Sequence, residues 1–334
     1  MRRLGLILVS VPTERLPPAA RRALPWLKEI ALIGIVYLVY GLVRNQFGSA
    51  DLNGADKPKQ AFNNAVLIID IEKATWLFHE QTIQRWFLDT PWIPFFNIFY
   101  GTAHFIVTLG VLVWLFVQRR KPFGRWRSML MATTAVGLIG FALFPLMPPR
   151  LFNAEPRTGC VETEALQEST PGDLPLCYRY GGGELARANG EPHYHFVDTL
   201  REVGGLWSFD SKELDSVSNQ YAAMPSLHIG WSVWCALVLY KFAKRRTTRV
   251  LGVIYPFITL TAIVATANHF IIDAAGAFLA LAIGYLIARL IERFSSGSSP
   301  SDEQVETLVS PTEQHELDPM DDERIGRYEV NSQL

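Results

Sequence analysis

Six apolar stretches separated by basic loops constrain this chain more than any other feature. They lie at roughly 26–44, 93–117, 128–147, 222–242, 250–267 and 270–290. About 20 apolar residues in helical form cross a bilayer core, and lipid offers no partner to an open backbone N–H or C=O. The pattern therefore predicts an all-α integral membrane protein with six transmembrane helices. The fifth stretch is short and carries Pro256, which is expected to kink it. The patch Leu4–Val11 is too short to span, and no small-residue cleavage site follows it, so no cleaved signal peptide is expected.

Charge sets the orientation. The N-terminus holds Arg2, Arg3, Arg15, Arg21, Arg22 and Lys28. The loop after the second stretch holds Arg119, Arg120, Lys121, Arg125 and Arg127, and the loop after the fourth holds Lys241, Lys244, Arg245, Arg246 and Arg249. Six spans place all three clusters on one side, and short basic loops mark the cytoplasmic side. Both termini are then cytoplasmic. Residues 1–25 form an N-terminal segment, 26–290 the membrane domain and 295–334 a tail. From Ser296 onward ten Asp/Glu stand against two Arg, a net −8, so residues 1–295 carry +7 of a chain whose whole is −1. A tail so charged and poor in aromatics cannot bury enough apolar surface to order itself, and is expected to be disordered. A basic body built on apolar runs, in a chain 49% hydrophobic and 19% charged, speaks for membrane and against nucleic acid.

Residues 45–92 and 148–220 are expected outside. In the first, Phe62, Val66, Ile69, Trp76, Ile83 and Phe87 recur near helical spacing, which predicts an amphipathic helix lying at the membrane surface. The second contains Cys160 and Cys177, which an oxidising compartment would join, the alternative being two free thiols. His193 and His195 stand in the same loop, either against a substrate headgroup or in ordinary surface roles. Cys235 falls within the fourth stretch and reads as packing.

Polar residues meet the membrane at one level. Pro148-Pro149-Arg150 closes the third stretch, Met224-Pro225-Ser226-Leu227-His228 opens the fourth, and Asn268-His269-Phe270-Ile271-Ile272-Asp273 opens the sixth. Ionisable groups at membrane depth are expensive, so each needs a reason. His269 and Asp273 are i,i+4, a spacing that puts them on one helix face. A carboxylate on one ring nitrogen fixes the tautomer and leaves the other nitrogen as nucleophile or base. Ser226 and His228 converge if Pro225 marks the first turn of a helix, whose free N–H groups suit a phosphate. Arg150 is a bidentate donor for phosphate oxygens. Each residue also has a plainer reading. A membrane-interface His is commonly just hydrogen-bonded, Arg150 can anchor to headgroups, and His-x-x-x-Asp can bind a metal, although no third His or Cys ligand stands nearby. Tyr100 and His104 share a face of the second stretch, where they either line a cavity or hydrogen-bond between helices.

At these residues the sequence resembles the type 2 phosphatidic acid phosphatase superfamily, over roughly 93–290. Pro225-Ser226-Leu227-His228 matches that family's Pro-Ser-Gly-His stretch with Leu227 in place of Gly, and His269 and Asp273 match the end of its third stretch. Ala262 and Ile263 replace the third stretch's Ser-Arg, and Leu143 stands where the first would have Lys. Pro-Ser-Leu-His without that Arg is similar to the inositol phosphorylceramide synthase branch, an inositolphosphotransferase group. The resemblance implies a metal-independent enzyme without cofactor, acting on a membrane lipid through a phosphohistidine. It implies His269 as nucleophile, Asp273 orienting it, and His228 as the acid and then base. Arg150 and Ser226 would hold the phosphoryl oxygens. The acceptor is then water, in a lipid phosphate phosphatase, or a polyol or other alcohol, in a headgroup transferase. A transporter or lipid-binding protein is the alternative of another class, since His and Asp also mark proton-coupled carriers. Against it, no internal repeat is evident and the ionisable residues lie at one end of the spans, not at the midplane.

Overall fold

The computed structural model describes residues 17–47, 56–152, 194, 196–204 and 221–296. Eight helices carry the architecture: α1 (Pro18–Phe47), α2 (Asp56–Ala74), α3 (Glu80–Leu88), α4 (Trp92–Gln118), α5 (Arg120–Leu143), α6 (Leu227–Phe242), α7 (Arg246–Ala265) and α8 (Asp273–Ser296). A 3₁₀ turn, Pro149–Phe152, and a short helical turn, Thr199–Glu202, lie between α5 and α6. No strand occurs among the described residues; a single parallel bridge joins Leu146 and Ala222. The chain divides at Ile291/Glu292, and of its second unit only residues 292–296 are described.

Among the described residues, four helices are long and apolar enough to cross a membrane: Trp92–Gln118, Arg120–Leu143, Arg246–Ala265 and Asp273–Phe294. Their outward faces leave Ile106, Phe257, Leu279 and Phe294 more than half exposed. Apolar area on that scale would be costly in water and is natural against lipid. These helices make the protein membrane-embedded. The fourth sequence stretch gives α6, only 16 residues and therefore ~24 Å long. The first gives α1, which extends beyond 26–44 at both ends. The fifth gives α7, continuous through Pro256.

Helix directions follow from the loops. Arg119 alone separates α4 from α5, and its guanidinium Nη2 donates to the Phe242 carbonyl at the end of α6. Arg249 Nε donates to the Ala243 carbonyl just beyond it. The basic loops thus gather at one end of α4–α7. The bundle centre packs Leu115, Trp126, Met129, Trp234, Val238 and Leu281 together. Two of its polar groups are paired in place: Trp234 Nε1 donates to the Trp126 carbonyl (2.9 Å), and buried Cys235 Sγ lies 3.6 Å from Thr108 Oγ1, the packing role read from sequence. Gly284 of α8 sits directly on Thr133 and the Met129 carbonyl of α5. A side chain there would collide with backbone, so this glycine sets how closely the two helices approach.

At the opposite end a cap is built from α2, α3 and the interhelical segments. Met147 N donates to the Ala61 carbonyl, Leu146 N to Tyr221 and Asn64 Nδ2 to Pro145. Gln84 of α3 exchanges two hydrogen bonds with the Val197 backbone, and Asn97 of α4 holds the Thr199 and Gly204 carbonyls. The cap has its own apolar core, including Phe62, Ile69, Leu146, Phe152, Phe196 and Phe270.

This cap corrects the single amphipathic helix expected over 45–92. The segment forms two helices, broken at 75–79, where Trp76 takes φ 59° and is 86% exposed. The break fails to continue the period because Glu72 O accepts from Leu77 N and Phe78 N, turning the chain sharply. Phe62 and Ile69, expected to face lipid, are instead buried in the cap core. Cys160, Cys177, His193, His195 and the acidic tail lie outside the described residues.

Candidate active site

Ser226 is the N-cap of α6. Its Oγ accepts from Ile229 N at 3.5 Å, and its own N–H donates to the Asp273 carbonyl at the head of α8. Pro225 therefore precedes the cap and does not stand in the first helical turn. Glycines on the neighbouring helices make room for this corner. A Cβ on Gly140 would meet Pro225 Cδ at 2.5 Å, one on Gly137 would meet Leu227 Cδ2 at 2.5 Å, and one on Gly276 would meet Pro225 Cβ at 3.2 Å. Leu227 thus packs against α5.

His269 lies on the seven-residue link between α7 and α8, not on a helix. Ala267 turns the link with φ 52°, a left-handed conformation that costs a non-glycine residue about 1 kcal/mol or more. The surroundings hold it there: its N–H donates to the Val264 carbonyl, and its carbonyl accepts from Arg150 N at 2.8 Å. Asp273, the first residue of α8, folds its carboxylate back over the link. Its Oδ2 accepts from Phe270 N and faces His269 Nδ1, both at 3.0 Å. The expected His269–Asp273 pair therefore exists, made by a capping carboxylate rather than by a shared helix face. His269 Nε2 points the other way, 3.4 Å from Ser226 Oγ. With Nδ1–H donating to the carboxylate, Nε2 carries the lone pair.

His228, second residue of α6, brings its ring to 5.5 Å from that of His269. Tyr100 stacks on it at 4.4 Å and His104 meets it at 4.2 Å. His104 Nδ1 lies 3.0 Å from the Tyr100 carbonyl of its own helix. Ser226, His269 and Asp273 are buried, while Tyr100, His104 and His228 are partly exposed. Open surface thus reaches the site across the aromatic wall of α4.

Arg150 is buried in the 3₁₀ turn, and its Nη1 pairs with Asp198 Oδ2 at 2.8 Å. Asp198 also caps the turn Thr199–Glu202. Backbone bonding to Ala267 holds the Arg150 turn against the His269 link. Among the described residues, no three His, Cys, Asp or Glu side chains converge as a metal site.

Sequence reasoning missed three carboxylates. Asp198 lay in a loop with no periodicity to flag it. Glu72 and Glu80 fall in the segment expected at the membrane surface, yet both are fully buried and accept from Ile272 N (2.7 Å) and Ile271 N (2.8 Å). The available signal was a pair of glutamates among apolar residues on either side of Trp76.

The bundle thus presents a histidine bonded to a carboxylate beside a serine-capped helix end and a second histidine. The family model of the PAP2 superfamily matches residues 66–287, and the chain belongs to that superfamily. Membership suggests a phosphatase or phosphotransferase acting on lipid-like substrates. No curated protein and no solved structure matches the chain.

Proposed function

We propose that the protein is a lipid phosphotransferase that works through a phosphohistidine on His269 without a metal, passing the phosphoryl-bearing group to an alcohol such as a polyol. The observation that carries this is His269 itself, its Nδ1 on the Asp273 carboxylate and its Nε2 open toward Ser226. The Nε2 lone pair attacks phosphorus, a P–N bond forms and the lipid P–O bond breaks. His228 gives its proton to the departing alkoxide. It then takes the proton of the acceptor hydroxyl, whose oxygen attacks phosphorus and breaks the P–N bond. Two easier displacements replace one hard one. The first N–H groups of α6, the Ser226 hydroxyl and Arg150, steadied by Asp198, neutralise charge on the phosphoryl oxygens. The alcohol acceptor rests on Pro-Ser-Leu-His and on Ala262-Ile263 in place of Ser-Arg.

The fold supports a six-span arrangement, with α1 and α6 joining the four long helices. Three Lys/Arg clusters mark the cytoplasmic side, both termini lie there, and the site opens on the other side. The test is a panel of labelled lipid phosphates, including phosphatidic acid and a polyprenyl phosphate, with and without inositol. Lipid products are read by mass and free phosphate is measured alongside. A new phosphorylated alcohol supports transfer; free phosphate as sole product, whatever alcohol is offered, overturns it in favour of a phosphatase. Turnover surviving both His269→Ala and His228→Ala refutes the assigned chemistry.

A further inference from the structure

The link that carries His269 is held from below by two carboxyls from two different helices. Glu72 ends α2 and Glu80 begins α3, and both are fully buried. Glu72 Oε1 accepts from Ile272 N at 2.7 Å and Glu80 Oε1 from Ile271 N at 2.8 Å. Phe270 N, the next donor along, goes to Asp273 Oδ2. Three consecutive N–H groups between His269 and Asp273 thus end on three separate carboxyls. The backbone amides alone do not require buried acids, because a carbonyl or amide oxygen would serve as acceptor at lower desolvation cost.

The second oxygens explain the pairing. Neither Glu72 Oε2 nor Glu80 Oε2 has a donor among the described residues, and both are buried. The two carboxyls hold consecutive N–H groups, so two ionised carboxylates there would repel and leave both Oε2 atoms bare. One proton between them removes both problems: the neutral carboxyl donates O–H to the carboxylate, and each keeps its bond to the link. The pair then holds one negative charge.

We infer that Glu72 and Glu80 share one proton and act as positioning residues, clamping Ile271 and Ile272 so that His269 is held on Asp273 with Nε2 aimed at the phosphorus. Neither touches the reacting atoms. The inference rests on His269 being the nucleophile. Burial first, and then the hydrogen bond and charge of Glu80, push the Glu72 carboxyl up to about 9, so the clamp keeps its proton at neutral pH. Other ionisable groups nearby are Asp273 and His269 on the link and head of α8. Lys73, exposed on α2, is held 3.0 Å from Tyr194 OH, and His79, exposed, precedes α3. Asp273 adds negative charge that favours the protonated pair.

The experiment uses the full-length protein in mixed micelles. Its substrate is phosphatidic acid, or whichever panel lipid phosphate the parent turns over, and kcat and KM are followed across pH. Glu72→Ala and Glu80→Ala are expected to lower kcat about 100-fold, the scale of a misplaced nucleophile, with KM little changed. Glu72→Gln keeps an acceptor for Ile272 N and gives its amide N–H to Glu80, so it restores kcat near neutral pH. It also removes the fall in kcat that the parent shows above about pH 9, where the pair loses its proton. Folded alanine variants with parental kcat, alongside an inactive His269→Ala, overturn the clamp and leave the proposed function standing. An active His269→Ala overturns both. If the alanine variants do not fold, Glu72→Gln decides: an alkaline limb identical to the parent's refutes the shared proton.

Discussion

Asp273→Asn is the sharpest test of the His269 assignment, because it changes one atom in a fully buried carboxyl. Asp273 Oδ2 serves two donors at 3.0 Å, His269 Nδ1 and Phe270 N. An asparagine can place its carbonyl oxygen where Oδ2 stands and keep both bonds. Its NH₂ then falls where Oδ1 is, an atom with no partner among the described residues. A buried unpaired donor costs about 1–3 kcal/mol, so the variant is expected to fold with a lowered melting temperature. The alternative rotamer sets NH₂ against two N–H groups and is worse. The larger loss is chemical. When Nε2 bonds phosphorus the imidazole becomes cationic, and only a carboxylate compensates that charge at Nδ1. Tautomer-fixing carboxylates of this kind are worth about 10⁴ in kcat, or about 5 kcal/mol at 1.36 kcal/mol per decade. The assay is single-substrate turnover on the active panel lipid, with kcat and KM separated and folding followed by thermal unfolding in detergent. A folded variant within about tenfold of the parent kcat would remove Asp273 from the mechanism and leave the His269 geometry without its chemical meaning.

Four further outcomes follow from the packing and the charges. Gly140→Ala sets a methyl 2.5 Å from the rigid ring of Pro225; overpacking of about 1–3 kcal/mol should lower the melting temperature and move Ser226 from His269, and an unchanged melting temperature and kcat would contradict the packing. Ser226→Ala removes the α6 cap, at about 1 kcal/mol, and the hydroxyl beside Nε2, so kcat should fall more than stability does; equal proportional losses would make Ser226 only a cap. Asp198→Asn removes the negative charge that faces Arg150 Nη1 at 2.8 Å in a part-buried pair and should cost about 1.5–3 kcal/mol in unfolding free energy, which a denaturant titration would detect. The Glu72 carboxyl, raised from an ordinary 4.5 to about 9, binds a proton in the folded chain that the unfolded chain releases. Stability is therefore fully present below about 4.5 and is lost as pH rises toward about 9; unfolding midpoints across that window should fall in the parent and flatten in Glu72→Gln, and parallel curves would refute the linkage.

The sequence determined the class of molecule and the residues of the candidate site. Apolar runs of membrane length can only become helices in lipid, so α4, α5, α7 and α8 were legible from length and hydropathy alone. Ser226, His228, His269 and Asp273 were legible too, because each motif is local and sits where a span ends. What a local pattern cannot carry is which distant group completes each site. Helical period ran through Trp76 and suggested one surface helix; the Glu72 carbonyl, bonded to Leu77 N and Phe78 N, breaks it into two. Arg150 read as a phosphate donor, and only the fold supplies Asp198 as a counter-charge. His269 and Asp273 read as one helix face, while the actual contact is a carboxylate folded back across a turn. Glu72 lies 200 residues from the Ile272 amide it holds. A buried acid is tolerated only where a specific donor and a specific neighbour meet it, and that meeting is a property of packing between elements. His269 could therefore be read as a candidate from its own neighbours in sequence, but the support beneath it existed only once α2 and α3 had closed over the link.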